Sequence, residues 1–236
     1  MNTKKATTKK LPIFWVILIG SILILALLIT IQPEREKVNP SHLPWNAHYD
    51  ETGQLHALGL VLNKSTLRDA MDLYGKDVEV KIFSDQKGES KSIEAYFPVM
   101  YIGAIKAALA LKIELTPEEL EQAYNEGKAI STNPSGTREI SLYGETIAKY
   151  FDHPLSSITL LPRKHLTEMA IQKRFGEADK KEIQSDKLPH WFFYEKGLEM
   201  IIDKEGPEAL QYSTNIQPTP NVKQALSPPM PIENPK

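Results

Sequence analysis

Residues Leu11 to Ile31, LPIFWVILIGSILILALLITI, form an apolar run without a single charge, and that run decides where the rest of the chain must fold. At about 1.5 Å of helical rise per residue it reaches about 31 Å, the thickness of a bilayer's hydrocarbon core. A membrane-spanning helix is predicted here. Everything after it must form its own core.

The flanks set the orientation. Lys4, Lys5, Lys9 and Lys10 precede the run, whereas Gln32 to Val38 carries Arg35 and Lys37 beside Glu34 and Glu36. Acidic residues weigh little in the positive-inside rule, so four lysines and the amino terminus against two cations predict a cytoplasmic N-terminus. The expected location is the bacterial inner membrane, with the C-terminal domain in the periplasm. A cleaved secretory signal is the competing reading, but its apolar region is usually about 7 to 15 residues and ends in an A-x-A-like site. This run is longer and passes through Ala26-Leu27-Leu28, which favours an uncleaved anchor. The chain has no cysteine, so it can carry neither a lipidated N-terminal Cys nor a disulfide, and packing alone must hold the domain.

Linkers bracket the remainder. Residues 32–44 are polar, with Pro33, Pro40 and Pro44, and read as an extended spacer. The tail, 216–236, holds six prolines and little apolar periodicity, so it is expected to be disordered. The stretch between is long enough for one large domain or two small modules. A net charge of −2 offers no concentrated basic face, and no nucleic-acid partner is expected.

A degenerate internal repeat divides the folded stretch into units at 45–130 and 131–215. In the first, Ser65, a natural N-cap, opens a helix that runs to Tyr74 and stops at Gly75. In the second, Arg163 to Phe175 stops at Gly176. Val80 to Gly88 then aligns without a gap with Leu198 to Gly206, each an apolar strand running into an Asp-x-x-Gly turn. A second strand follows in each, Ile93 to Phe97 and Ala209 to Tyr212, so each unit reads as a helix and a β-hairpin. Between them, Ile105 to Leu115 alternates at the strand period despite its alanines. Thr116-Pro117-Glu118-Glu119 starts a helix that stops at Gly127. Strands are predicted at 137–142 and 157–161, with a helix at 145–151. The fold class is α+β, mostly antiparallel, behind one transmembrane helix.

The second unit resembles a known family. Thr167, Phe175-Gly176-Glu177, Trp191-Phe192-Phe193-Tyr194, Gly197 to Asp203 and Gly206 are similar to the pattern of SmpA/OmlA-type domains. These include the small lipoprotein subunit of the β-barrel assembly machine, and the related β-lactamase inhibitory protein (BLIP) fold carries tandem copies. The resemblance covers roughly 50 residues here and a weaker 35 in the first unit. Glu177-Ala178 replaces the family's usual proline after the helix-ending glycine, and the membrane helix replaces the lipidated cysteine. The resemblance implies the fold and a binding role in the envelope. The arrangement as a whole is also similar to single-span proteins of Gram-negative envelopes.

Catalytic motifs are scarce. The sequence has no G-x-S-x-G, no phosphate-cradling glycine loop and no H-E-x-x-H. His42, His48, His56, His153, His165 and His190 lack ligand spacing on a predicted helix, and no metal or cofactor is expected. Asp152-His153 with Ser156 and Ser157 has the residue types of a hydrolase triad, but triad groups converge from distant segments. Three features suit binding. Arg163, Lys164, His165, Lys173 and Arg174 flank the second helix and suit an acidic phospholipid or partner, although an ordinary solvated helix face also accounts for them. Trp191 to Tyr194 places aromatics on both sides of a strand, so one pair needs a cover, from a helix of the domain or from a partner. The loop Ser131 to Thr137 presents hydroxyls and N–H groups, which turn chemistry alone explains.

The expected function is a non-catalytic interaction module in envelope assembly or maintenance. It would engage a protein partner through Trp191, Phe193, Arg163, Lys164, Lys173 and Arg174. Two alternatives are a lipid- or peptidoglycan-binding module, marked by an apolar groove, and an envelope hydrolase, marked by His153 or His190 converging with a nucleophile and an acid.

Overall fold

The computed structural model describes residues 13–30, 38–85, 87–88, 90–127, 129–132, 137–203 and 205–218. It divides into two units, 1–37 and 38–236. In the first, Ile13–Thr30 is a helix, α1, with a mean hydropathy of 2.9 over its 18 residues. By length and composition it can cross a membrane, as an anchor or as a signal sequence. Most of the linker and tail expectations fall outside the described residues.

The second unit is α+β and antiparallel. It starts with two short 3-10 turns, Pro40–His42 and Pro44–Asn46. A small sheet follows, made of β1 (His48–Tyr49), β2 (Leu55–Ala57) and β3 (Leu60–Val61). The helix α2 (Leu67–Tyr74) is capped by Thr66 rather than Ser65. The Thr66 hydroxyl accepts from the Asp69 N–H, and the Asp69 carboxylate accepts from the Thr66 N–H. Ser65 instead accepts the N–H of Val61 through its hydroxyl.

Ten strands form the main sheet. They are β4 (Glu79–Ser84), β5 (Lys91–Ile102), β6 (Ile105–Ile113), β7 (Ala129–Thr132), β8 (Arg138–Ser141), β9 (Leu155–Pro162), β10 (Lys180–Ile183), β11 (Pro189–Phe193), β12 (Leu198–Ile201) and β13 (Ala209–Ser213). Their order is β10-β11-β12-β13-β9-β6-β5-β4-β8-β7, with every neighbouring pair antiparallel. Gly103, at φ +58°, turns β5 into β6, and its α-carbon faces Val38 so closely that a methyl group there would collide. The helices are α3 (Pro117–Glu126), α4 (Glu145–Ala148) and α5 (Glu168–Phe175). The last is shorter than expected because Arg163 prolongs β9 by donating its N–H to the Lys106 carbonyl, and Thr167 caps the helix only afterwards.

One face of the sheet is a continuous core. Register places Trp191, Met200, Leu210, Leu160, Leu109 and Phe97 in one buried row across six strands. A second row, Phe193, Leu198, Tyr212, Ile158, Leu111, Ala95 and Val80, crosses seven. Burying each large apolar side chain contributes about 1.5 to 3 kcal/mol, so these rows hold the domain without disulfides. Cover comes from α2, α5 and the 38–62 segment. Tyr74 packs edge-on against Phe97, the Phe175 ring lies tilted at 44° to that of Phe193, and the Tyr212 hydroxyl donates to the Pro44 carbonyl.

The other face is open. Its central row runs Lys180, Phe192, Glu199, Gln211, Thr159, Ala110, Tyr96 and Glu79, and none of these residues is buried. An antiparallel sheet tolerates this because alternate residues can be polar and wet.

Candidate functional site

A grouping of basic and aromatic side chains lies where β9 passes into α5. Pro162 ends the strand and Thr167 caps the helix, leaving Arg163 to Leu166 as an irregular bridge. Arg163, Lys164 and His165 are exposed on it, while Leu166 turns half inward against the core. The bridge forms one wall of a cleft of about 390 Å³. Trp45, Ile105, Leu166 and Phe175 give the cleft an apolar lining, and Lys106, Arg163, Lys164 and Arg174 also line it.

Local folding explains the placement. Pro44 opens the second 3-10 turn and puts Trp45 edge-on to Phe175, with ring centroids 6.2 Å apart and planes at 85°. Arg174 belongs to the last turn of α5, where a cation complements the helix dipole, and its guanidinium lies 4.4 Å from the Trp45 ring centroid. The Arg163 guanidinium donates to the Pro98 carbonyl at 2.8 Å, which fixes it beside the β5–β6 hairpin. Lys173 is exposed on α5 and does not line the cleft.

A second cleft of about 320 Å³ shares Pro162, Arg163, Lys164 and His165 with the first and continues onto the open sheet face at Tyr96, Ala108 and Leu161. Next along that face, Ala110, Ser157 and Thr159 floor a polar trough of about 230 Å³ between Glu94, Lys112 and Gln211. Small side chains at the centre of the sheet create this hollow. His165 is bonded through Nδ1 to Glu208 at 3.1 Å, and the other carboxylate oxygen of the buried Glu208 has no hydrogen-bond partner among the described residues.

The aromatic strand divides as alternation requires. Trp191 and Phe193 are 6% and 3% exposed, which places them inside the core with α5 as the cover for Phe193. Lys181 lies over the Trp191 ring at 3.6 Å. The aromatics of this stretch that meet solvent are Phe192 and Tyr194, which stack with centroids 6.2 Å apart.

Hydrolytic chemistry is not assembled by the residues that suggested it. Asp152 accepts two hydrogen bonds from Arg68, at 2.7 and 3.0 Å, which hold its carboxyl below the usual range. His153 lies 3.9 Å from Glu119. Ser156 has a buried hydroxyl without a hydrogen-bond partner among the described residues, whereas Ser157 faces the trough. His190 is clamped between Glu199 at 2.6 Å and Asp186 at 2.9 Å. His48 and His56 do converge, stacked at 5.2 Å, with His56 bonded to Asp50, while the His42 ring packs against Gly59. Among the described residues no group of three or more His, Asp or Glu is arranged to hold a metal. The Ser131 to Thr137 loop lies largely outside the described residues.

Sequence reasoning located Arg163, Lys164 and Arg174 but missed Trp45 and Lys106, which complete the cleft. A tryptophan directly after a proline at the end of a polar spacer was the available signal. No family model, curated protein or solved structure matches this chain.

Proposed function

We propose that this chain is a single-pass inner-membrane protein, N-terminus in the cytoplasm, whose periplasmic domain is a non-catalytic module that holds a protein partner of the envelope. The observation that carries the reading is the one-sided cover of the ten-stranded sheet. Helices and the 38–62 segment protect one face, while the other presents a hollow floored by Ala110, Ser157 and Thr159 and rimmed by Glu94, Gln211 and Lys112, with Tyr96 beside Ala110 in the register. Small residues beneath a ring of larger ones suit the entry of a partner's side chain, and aromatic or long polar residues at the rim supply contact area.

The two-unit, SmpA/BLIP-like interpretation belongs to this proposal. Its support is the register about the β6·β9 seam. Val80, Ala95 and Leu111 lie on one side, and Leu198, Tyr212 and Ile158 answer them on the other in the same row. That is the pairing of Val80 with Leu198 found by aligning the sequence halves. A membrane tether raises the local concentration of any partner in the same envelope, so a weak direct contact suffices.

The test is a photo-reactive phenylalanine analogue placed at Tyr96 or Thr159 in the full-length protein in cells, with Leu109 in the core as the control position. A specific protein adduct at the open-face positions and none at Leu109 is expected. Equal labelling at all three positions, or no protein adduct at either open-face position, would overturn the reading. Alkaline extraction should leave the full chain in the membrane and release a chain that starts at Val38. Release of both would mean that α1 is a signal rather than an anchor.

A further inference from the structure

Granting that the domain holds a protein, we propose that the cleft between Trp45 and α5 receives a partner segment in which one bulky apolar side chain is flanked by carboxylates. Charge gives the first argument. Lys106, Arg163, Lys164 and Arg174 line one cleft of about 390 Å³, and among the described residues none of them forms a salt bridge. His165 is left out of this set because Glu208 already engages it, and Glu205 lines the neighbouring cleft rather than this one. Four cations without acidic partners around an apolar lining complement an acidic, partly apolar ligand.

Preorganisation gives the second. Trp45 is fixed by Phe175 and carries the Arg174 guanidinium on its face, while Arg163 is held by the Pro98 carbonyl. An arginine already restrained loses little rotamer freedom when a carboxylate binds it. Tryptophan and arginine are also the residue types that dominate binding energy at protein interfaces.

Continuity argues for a peptide over a lipid. The strip Pro162 to His165 lines both this cleft and the one that opens onto the sheet face at Tyr96 and Ala108. A peptide main chain crossing that strip fills both hollows with successive side chains, whereas one acyl chain occupies only the apolar one. The proposal rests on the interaction-module reading and adds the chemistry of the partner's epitope to it.

The experiment is selection of a random displayed peptide library on the full-length protein in phosphatidylcholine nanodiscs. Enrichment of Asp or Glu next to Leu, Phe or Trp is expected. The selected peptides should bind Lys106→Glu/Lys164→Glu about ten-fold more weakly or worse, a loss expected for removing and reversing rim charge. Filling the cleft with Ala170→Trp should abolish binding, and both variants should melt as the parent does. If charge reversal disturbs folding, Lys106→Gln/Lys164→Gln should show the same loss at smaller size. Peptides without acidic bias, or peptides that bind every variant equally, would overturn the inference. Displacement of the peptides by vesicles containing phosphatidylglycerol but not by phosphatidylcholine vesicles would assign the cleft to lipid and likewise overturn it. A protein adduct on the open face together with failure here would defeat the inference and leave the wider reading standing.

Discussion

His190 is a buried histidine whose contribution to stability depends on pH. Its side chain is 4% exposed, and both ring nitrogens face carboxylates, Nδ1 to Glu199 and Nε2 to Asp186. Burial pulls its pKa down, but the hydrogen bonds to Glu199 and Asp186 outweigh that and raise it above 6.5. A raised folded-state pKa gives stability that is complete below the unfolded-state value and is lost as pH climbs through the folded-state one. Asp186 has the opposite sign. The Leu188 N–H and then His190 lower its pKa below 3.8, so its share is present above that value and lost as pH falls through the folded-state one. The clamp is therefore strongest at mildly acidic pH. His190→Gln should cost about 1.5 to 3 kcal/mol at pH 6, the range for hydrogen bonds to charged groups, and less at pH 9. Denaturant melts at the two pH values check this. An equal cost at both would mean that the ring acts by packing and not by charge.

Element by element, the helix ends show which sequence signals carry structural weight. Thr116 and Glu119 close a reciprocal capping box at α3, and Pro117 occupies the first helical position, as the sequence predicted. Thr116→Ala should cost about 1 kcal/mol in a thermal or denaturant melt. Gly127 stops the same helix for a different reason. Its φ of −65° suits any residue, but an added Cβ would lie 2.0 Å from the Ile140 Cγ2, so Gly127→Ala should destabilise by about 1 to 3 kcal/mol through overpacking. At Gly176, with φ +89°, ψ −169° and open space around it, alanine should instead be penalised by backbone strain of about 1 to 3 kcal/mol. In an Ile140→Ala background, which lacks the colliding Cγ2, Gly127→Ala should cost less, whereas Gly176→Ala should cost the same. Strands with a strict alternation, such as β6, were legible because the core selects their period. The strand β10 was not, since Lys180-Lys181-Glu182-Ile183 lies at a sheet edge, where charge is favoured and apolar alternation has no core to serve. The cleft was half legible for a similar reason. Basic residues on either side of one helix stand out in a sequence, but Trp45 and Lys106 lie 118 and 57 residues before Arg163, and only the fold brings them together.

At the scale of the whole molecule, the division at residue 130 is a statement about sequence similarity, and the sheet crosses it freely. The segment after 130 supplies β8, which pairs with β4 over Lys81 to Ser84, and β9, which pairs with β6 along most of its length. Smaller links reinforce the seam. The Asn63 N–H donates to the Leu155 carbonyl at 2.7 Å, the Leu155 N–H donates to the Ser65 carbonyl at 2.9 Å, and Arg68 grips Asp152. Cutting at 130 would therefore leave β6 and β9 as long apolar edges and strip β4 of its outer partner. Such edges invite pairing with other chains. Fragments 45–130 and 131–215 expressed separately should be insoluble or lack a cooperative transition, whereas 38–218 should unfold in one step with coincident tryptophan fluorescence and circular dichroism changes. A cooperative transition in either fragment alone would mean that each half carries a self-sufficient core, and the β6·β9 seam would then be an interface between modules. If 38–218 unfolds in one step and neither fragment does, the two similar halves serve a single rigid platform. Rigidity of that kind is what an open sheet face needs in order to meet a partner without first paying to order itself.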